Sequence, residues 1–135
     1  MLARLVWSDD WTRILGFAAS FTLAEWMRGT LLTGLPWNVP GYAAMPTPLS
    51  MQSASLIGLY GVTFFALFVA ASPALLGSKS TDSSRRSTRF VLTASALICA
   101  FHLGFGLWSL STAEKAYVED VKLRVVQPAL DQREK

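Results

Sequence analysis

Three sets of residues have types and spacings that could do chemistry. Glu25 and Arg28 lie three apart, which places an acid and a base on one helix face. Ionisable groups inside a membrane are costly and normally face protein with a partner. The pair therefore reads either as a polar anchor beneath a substrate site or as a structural ion pair that fixes one helix against its neighbours. The structural membrane ion pair is the expectation, with each residue as the other's partner. Cys99 and His102 are also three apart and suggest a nucleophile with its base. A thiol in apolar surroundings is inert, and no carboxylate in that stretch could orient the imidazole, so core packing is expected there instead. The third set is residues 34–42, GLPWNVPGY. Pro36 and Pro40 cannot continue a helix, and Gly34 and Gly41 permit positive φ. This stretch is either an interfacial loop anchored by Trp37 or a re-entrant segment lining a lipid-access cleft, since irregular backbone at membrane depth survives only beside protein or water. Residue types alone leave those two readings open.

The elements that must position these residues are membrane helices. Charged residues make up 16% of the 135-residue chain, against about 25% in typical globular proteins. Between Arg28 and Lys79 there is no Asp, Glu, Lys or Arg at all. Three apolar runs, about residues 12–32, 52–74 and 90–110, are long enough to cross a bilayer core, for which about 20 helical residues suffice. Helices are required because open strands would leave backbone groups unpaired in lipid. The aspartates near the start and the resumption of apolar sequence after Arg28 favour a retained helix over a cleaved signal peptide.

The connections set the orientation. Residues 77–89 carry Lys79, Arg85, Arg86 and Arg89 against Asp82, whereas residues 33–48 carry no basic residue. The positive-inside rule places 77–89 in the cytoplasm, and 33–48 and 111–135 outside it. Trp7 and Trp11 then fall at the inner interface, and Trp37, Tyr42 and Trp108 at the outer one, where amphipathic rings prefer to sit. The net charge of +3 comes mainly from residues between apolar runs, so it describes topology and not a nucleic-acid face. A single cysteine excludes an internal disulfide framework. There is no phosphate-binding glycine loop, zinc-type cluster or hydrolase serine motif, and no metal or cofactor is expected.

After a polar connector at 111–120, residues 121–126 alternate as Val-Lys-Leu-Arg-Val-Val, which predicts a strand ended by Gln127-Pro128. One strand has no independent stability. The expectation is the front edge of a soluble domain, residues 121–135, that is cut off at Lys135. Gln52, an amide near the outer end of the second run, and Gly58, Gly61, Gly104 and Gly106 are expected to serve helix packing.

Glu25-Trp26-Met27-Arg28-Gly29, then Leu32-Thr33-Gly34-Leu35-Pro36-Trp37-Asn38 and Gly41-Tyr42, resemble the apolipoprotein N-acyltransferase family. Pro48, Gln52 and Gly58-Leu59-Tyr60-Gly61-Val62 sit where that family has similar residues. Val125-Val126-Gln127-Pro128, Gln132 and Lys135 look like the opening of its nitrilase-like domain. The resemblance implies a fold of membrane all-α class, with three transmembrane helices followed by the first β-strand of a truncated nitrilase-like α/β domain. It implies a multi-pass protein of the bacterial inner membrane, with residues 33–48 and 111–135 periplasmic. The activity it implies is acyl transfer from a membrane phospholipid to the N-terminal amine of a diacylglyceryl-cysteine lipoprotein. The family's cysteine nucleophile, glutamate base and charge-stabilising lysine belong to the nitrilase-like domain, so no catalytic residue is expected in this chain, which alone would be inactive. The residues it implies near the membrane mouth of the active site are Gly34 and Trp37, and with them Pro36, Asn38 and Tyr42 are the candidate substrate-binding set.

Two further classes of function are open to such a chain. It would be a non-catalytic anchor or scaffold if a separately encoded chain carried the enzyme domain. A small transporter is disfavoured, because one intramembrane ion pair offers little for an ion path.

Overall fold

The computed structural model describes residues 10–31, 34, 37–77, 82–114 and 122–124, and among them every regular element is helical. The first helix, α1, spans Thr12–Thr30. Asp10 opens it: its Oδ1 accepts from the Thr12 backbone N–H at 2.9 Å, and a carboxylate there also suits the positive end of the helix dipole. Leu31 ends it in an extended conformation. A 3-10 turn follows at Pro40–Ala44. Then comes a single helical turn, α2, Pro48–Met51. Thr47 and Ser50 cap α2 reciprocally, each side chain accepting the other's backbone N–H, and proline at the first helical position costs no hydrogen bond.

The next helix, α3, spans Ala54–Ala71 and runs on as a 3-10 stretch, Ser72–Gly77. It is not continuous. Gly58 adopts φ 66° and ψ 175°, which breaks the helical path one turn from its start. The last helix, α4, is Asp82–Thr112, 31 residues or about 46 Å of helix. It contains the predicted span 90–110 and begins two turns earlier, so Arg85, Arg86 and Arg89 lie on its first turns. Apolarity marks only the part that suits hydrocarbon, whereas the helix extends into the polar residues before it, where no proline intervenes.

Two stretches, Ala54–Gly77 and Ser84–Thr112, are long and apolar enough to cross a bilayer, and 17% of each apolar window is buried within the chain. Core helices of a soluble domain would be mostly buried. Instead Leu103, Leu107, Trp108 and Leu110 present their side chains outward. The predicted run 12–32 is helical over Thr12–Thr30.

α1 packs along α3, and α4 packs against α2, α3 and the Ser72–Gly77 stretch. At one end Ile14 and Ala18 of α1, Phe68 of α3, Leu75 and Val91 form a buried apolar cluster. Trp11 and Phe90 close it edge to face, with ring centroids 6.1 Å apart. Between α3 and α4 the helices leave an apolar cavity of about 660 Å³, walled by Leu56, Phe65, Leu97 and Phe101 and ending at Ser53 and His102.

The predicted strand at 121–126 is not seen. Lys122, Leu123 and Arg124 are its described residues, and they take no strand conformation. A strand exists only through pairing, and no strand is present among the described residues to pair with. The rest of 121–126 lies outside the described residues.

Candidate functional site

The candidate residues gather at the end of the bundle opposite the apolar cluster, on the segment between α1 and α3. Arg28, in the last turn of α1, holds its start. Its Nη2 donates to Glu25 Oε2 at 2.5 Å and to the Trp37 carbonyl at 2.7 Å. The acid–base pair therefore does more than join its own helix face, because the guanidinium also pins the backbone of the turn. Gly34 sits at φ +40° against α1, where a Cβ would stand 2.6 Å from the Gly29 carbonyl oxygen. Asn38 adopts φ +53°, a left-handed conformation that Asn tolerates better than most side chains. Both conformations are non-helical, so the helical path of α1 does not continue through them. Pro36, like Leu32, Thr33 and Leu35, lies outside the described residues.

The turn buries Val39, 1% exposed, while Trp37 is 68% exposed and Tyr42 51%. A turn with an apolar plug inward and two amphipathic rings outward presents those rings to whatever surrounds the bundle. An indole there offers an apolar face together with an N–H donor.

Two contacts fix the far side of the turn, and neither was expected. The Gly41 N–H donates to Thr63 Oγ1 of α3 at 3.2 Å, and the Thr63 hydroxyl donates to the Leu59 carbonyl at 2.8 Å. A Cβ on Gly41 would lie 2.5 Å from Thr63 Oγ1, so only glycine allows this approach. The second contact is His102. Its Nε2 lies 3.0 Å from the Ala44 carbonyl and its Nδ1 2.8 Å from Ser53 Oγ. A carbonyl only accepts, so Nε2 carries the proton. In the neutral tautomer that this proton defines, Nδ1 is an acceptor for the Ser53 hydroxyl.

Further along α4, Gly106 lies so close to the Leu49 carbonyl that a Cβ would collide with it. Ser109 donates to Gln52 Oε1 at 3.0 Å, and Gln52 Nε2 donates to the Pro48 carbonyl at 2.9 Å. His102, Gly106 and Ser109 are four and then three residues apart, one stripe down the inner face of α4. Of the four glycines expected to permit close packing, Gly106 does so against another element. Gly58 instead breaks α3, Gly104 has nothing near it, and Gly61 faces the side chain of Ile57 one turn away.

His102 is thus more than core packing, and it is not a base for Cys99, since both of its nitrogens are occupied elsewhere. Cys99 is exposed on the cavity wall. The signal that would have found the clamp is the stripe itself, a histidine, a glycine and a serine at helical spacing facing a segment rich in free carbonyls.

Every regular element among the described residues is helical, two of them are long and apolar enough to cross a bilayer, and this combination suggests a helical membrane protein. The family described as apolipoprotein N-acyltransferase N-terminal domain matches residues 1–72, more than half of the sequence. The chain is 46% identical over 134 residues to the apolipoprotein N-acyltransferase of Brucella melitensis, a match covering 98% of this chain and 24% of that protein. It is 43% identical over 133 residues to the enzyme of the same name from Agrobacterium fabrum, with 98% and 24% covered. With that of Rhizobium etli the identity is 45% over 138 residues, with 99% and 25% covered. This chain belongs to the apolipoprotein N-acyltransferase family. It spans about a quarter of the length of these curated relatives. No solved structure matches it.

Proposed function

We propose that this chain builds part of the membrane cradle of a phospholipid-dependent apolipoprotein N-acyltransferase. Such an enzyme moves an acyl chain from a phospholipid to the N-terminal amine of a diacylglyceryl-cysteine lipoprotein. The observation that carries the reading is Trp37, more than two-thirds exposed on a turn whose backbone is held by Arg28, Thr63 and His102. An exposed ring on a fixed backbone can hold a lipid headgroup region in one place without first paying to order itself. Gly34 and Asn38 shape that turn, Pro36 completes the candidate set by its place in the sequence, and Tyr42 adds a second amphipathic ring. The cavity between α3 and α4 supplies apolar wall below the turn, suited to a chain of methylenes. Glu25 and Arg28 are the structural membrane ion pair that anchors the arrangement.

In this reading α1, α3 and α4 are three inner-membrane spans. α1 is 19 residues, about 29 Å, close to the hydrocarbon thickness. Residues 77–89 face the cytoplasm, while 33–48 and 111–135 are periplasmic, the latter opening a nitrilase-like domain that brings the nucleophile. The test is acyl transfer by the longer enzyme carrying this segment. Trp37→Ala is expected to lower the rate about tenfold or more, on the scale of a lost aromatic anchor, while Cys99→Ala leaves it within twofold. Equal rates for both variants and the unaltered enzyme would remove Trp37 from the site.

A further inference from the structure

We propose that His102 is a positioning residue for substrate binding. Held as the neutral ring with its proton on Nε2, it sets the depth at which the 3-10 turn Pro40–Ala44 and the Trp37 ring sit over α4. The inference rests on the proposed role of Trp37 for its functional consequence, but its geometry stands independently. His102 touches three separate stretches at once: its own helix α4, the end of the turn at Ala44, and Ser53 just ahead of α3. The turn is packed separately on α3, where Gly41 bonds to Thr63. Without the histidine, therefore, the stretch from Ala44 onward would be tied to α4 only below it, through Leu49 against Gly106 and Gln52 with Ser109. The ring is part-buried at the head of an apolar cavity, where it meets the Ala44 carbonyl. A lost hydrogen bond there leaves a carbonyl unpaired in an apolar setting, and the local backbone shifts to find a partner.

With the longer enzyme labelled with ¹⁵N-histidine in lipid nanodiscs, the signals lost in His102→Gln identify this ring, and the expected spectrum shows it as one neutral tautomer with a slowly exchanging Nε2–H. Ser53→Ala should move the Nδ1 resonance and keep the Nε2–H. Averaged nitrogen shifts with no observable ring N–H would overturn the clamp, whatever the role of Trp37. In the longer enzyme, His102→Ala is expected to raise the KM for phospholipid about tenfold with kcat within twofold, the scale of one buried hydrogen bond. His102→Gln, whose amide can still donate to Ala44, should recover most of that loss. If the spectrum is as expected but His102→Gln is no better than His102→Ala, or His102→Ala binds phospholipid normally, the positioning role is wrong. If Trp37→Ala is also silent, it is the reading of the turn that has failed.

Discussion

The two ends of this bundle are held together by different means. At the end where α4 begins, Ile14, Ala18, Phe68, Leu75 and Val91 meet as apolar side chains, with Trp11 and Phe90 across the rim. At the other end the contacts are directional: Arg28 to Trp37, Thr63 to Gly41, His102 to Ala44 and Ser53, and Ser109 to Gln52. The same face of α4 serves both, changing along its length from Val91 through Ile98 to His102, Gly106 and Ser109. Apolar packing in lipid gains little from expelling water and is non-directional, so it holds helices together without dictating an irregular backbone. Hydrogen bonds and glycine contacts specify one conformation, which an irregular turn with an exposed ring needs if it is to hold that ring in place. The division suggests that one end supplies stability and the other supplies geometry.

That contrast can be broken in a graded way. The largest expected loss of stability is from Phe68→Ala, about 3 kcal/mol for a deleted buried aromatic. It should appear in detergent unfolding, while acyl transfer per folded molecule by the longer enzyme stays unchanged. A fall in specific activity would show that the apolar end also shapes the site. Gly106→Ala comes next. Its new methyl meets the Leu49 carbonyl, and displacing that backbone costs about 1–3 kcal/mol. Here both stability and specific activity should fall, because the segment carrying the turn is pushed off α4. Thr63→Val is the mildest, close to isosteric but unable to accept from Gly41, and it should cost about 1 kcal/mol. Its signature is a specific activity lowered more than its small loss of stability explains. If Thr63→Val behaved like Phe68→Ala, the two ends would not differ in kind.

The same contrast explains what could be read in advance. Uninterrupted apolar runs announce α3 and α4, because length and the absence of charge are local properties, and the run of α1 is legible in spite of Arg13, Glu25 and Arg28. The turn at 34–42 is legible from its prolines, glycines and Asn38, whose backbone preferences act within a few residues. Thr63, Ser53 and His102 are not legible in that way. Their partners lie 22, 49 and 58 residues away, and nothing in local spacing says which carbonyl or amide a lone hydroxyl or imidazole will meet. The expectation of core packing at His102 missed its polar partners for the same reason, since the ring is claimed from outside its own helix. The early start of α4 and the break at Gly58 were missed because apolarity reports what a segment touches and not where its backbone turns.

The account depends most on the polar-bolted end facing the periplasm, where the acceptor lipoprotein's amine is expected. Single cysteines at Tyr42 and Arg86, introduced as Tyr42→Cys and Arg86→Cys in a Cys99→Ala background, can be probed in whole cells with a membrane-impermeant maleimide admitted to the periplasm. Labelling at position 42 in intact cells, and at 86 only after the inner membrane is permeabilised, is the predicted result. Labelling at 86 with protection at 42 would place the Trp37 turn in the cytoplasm and contradict the account.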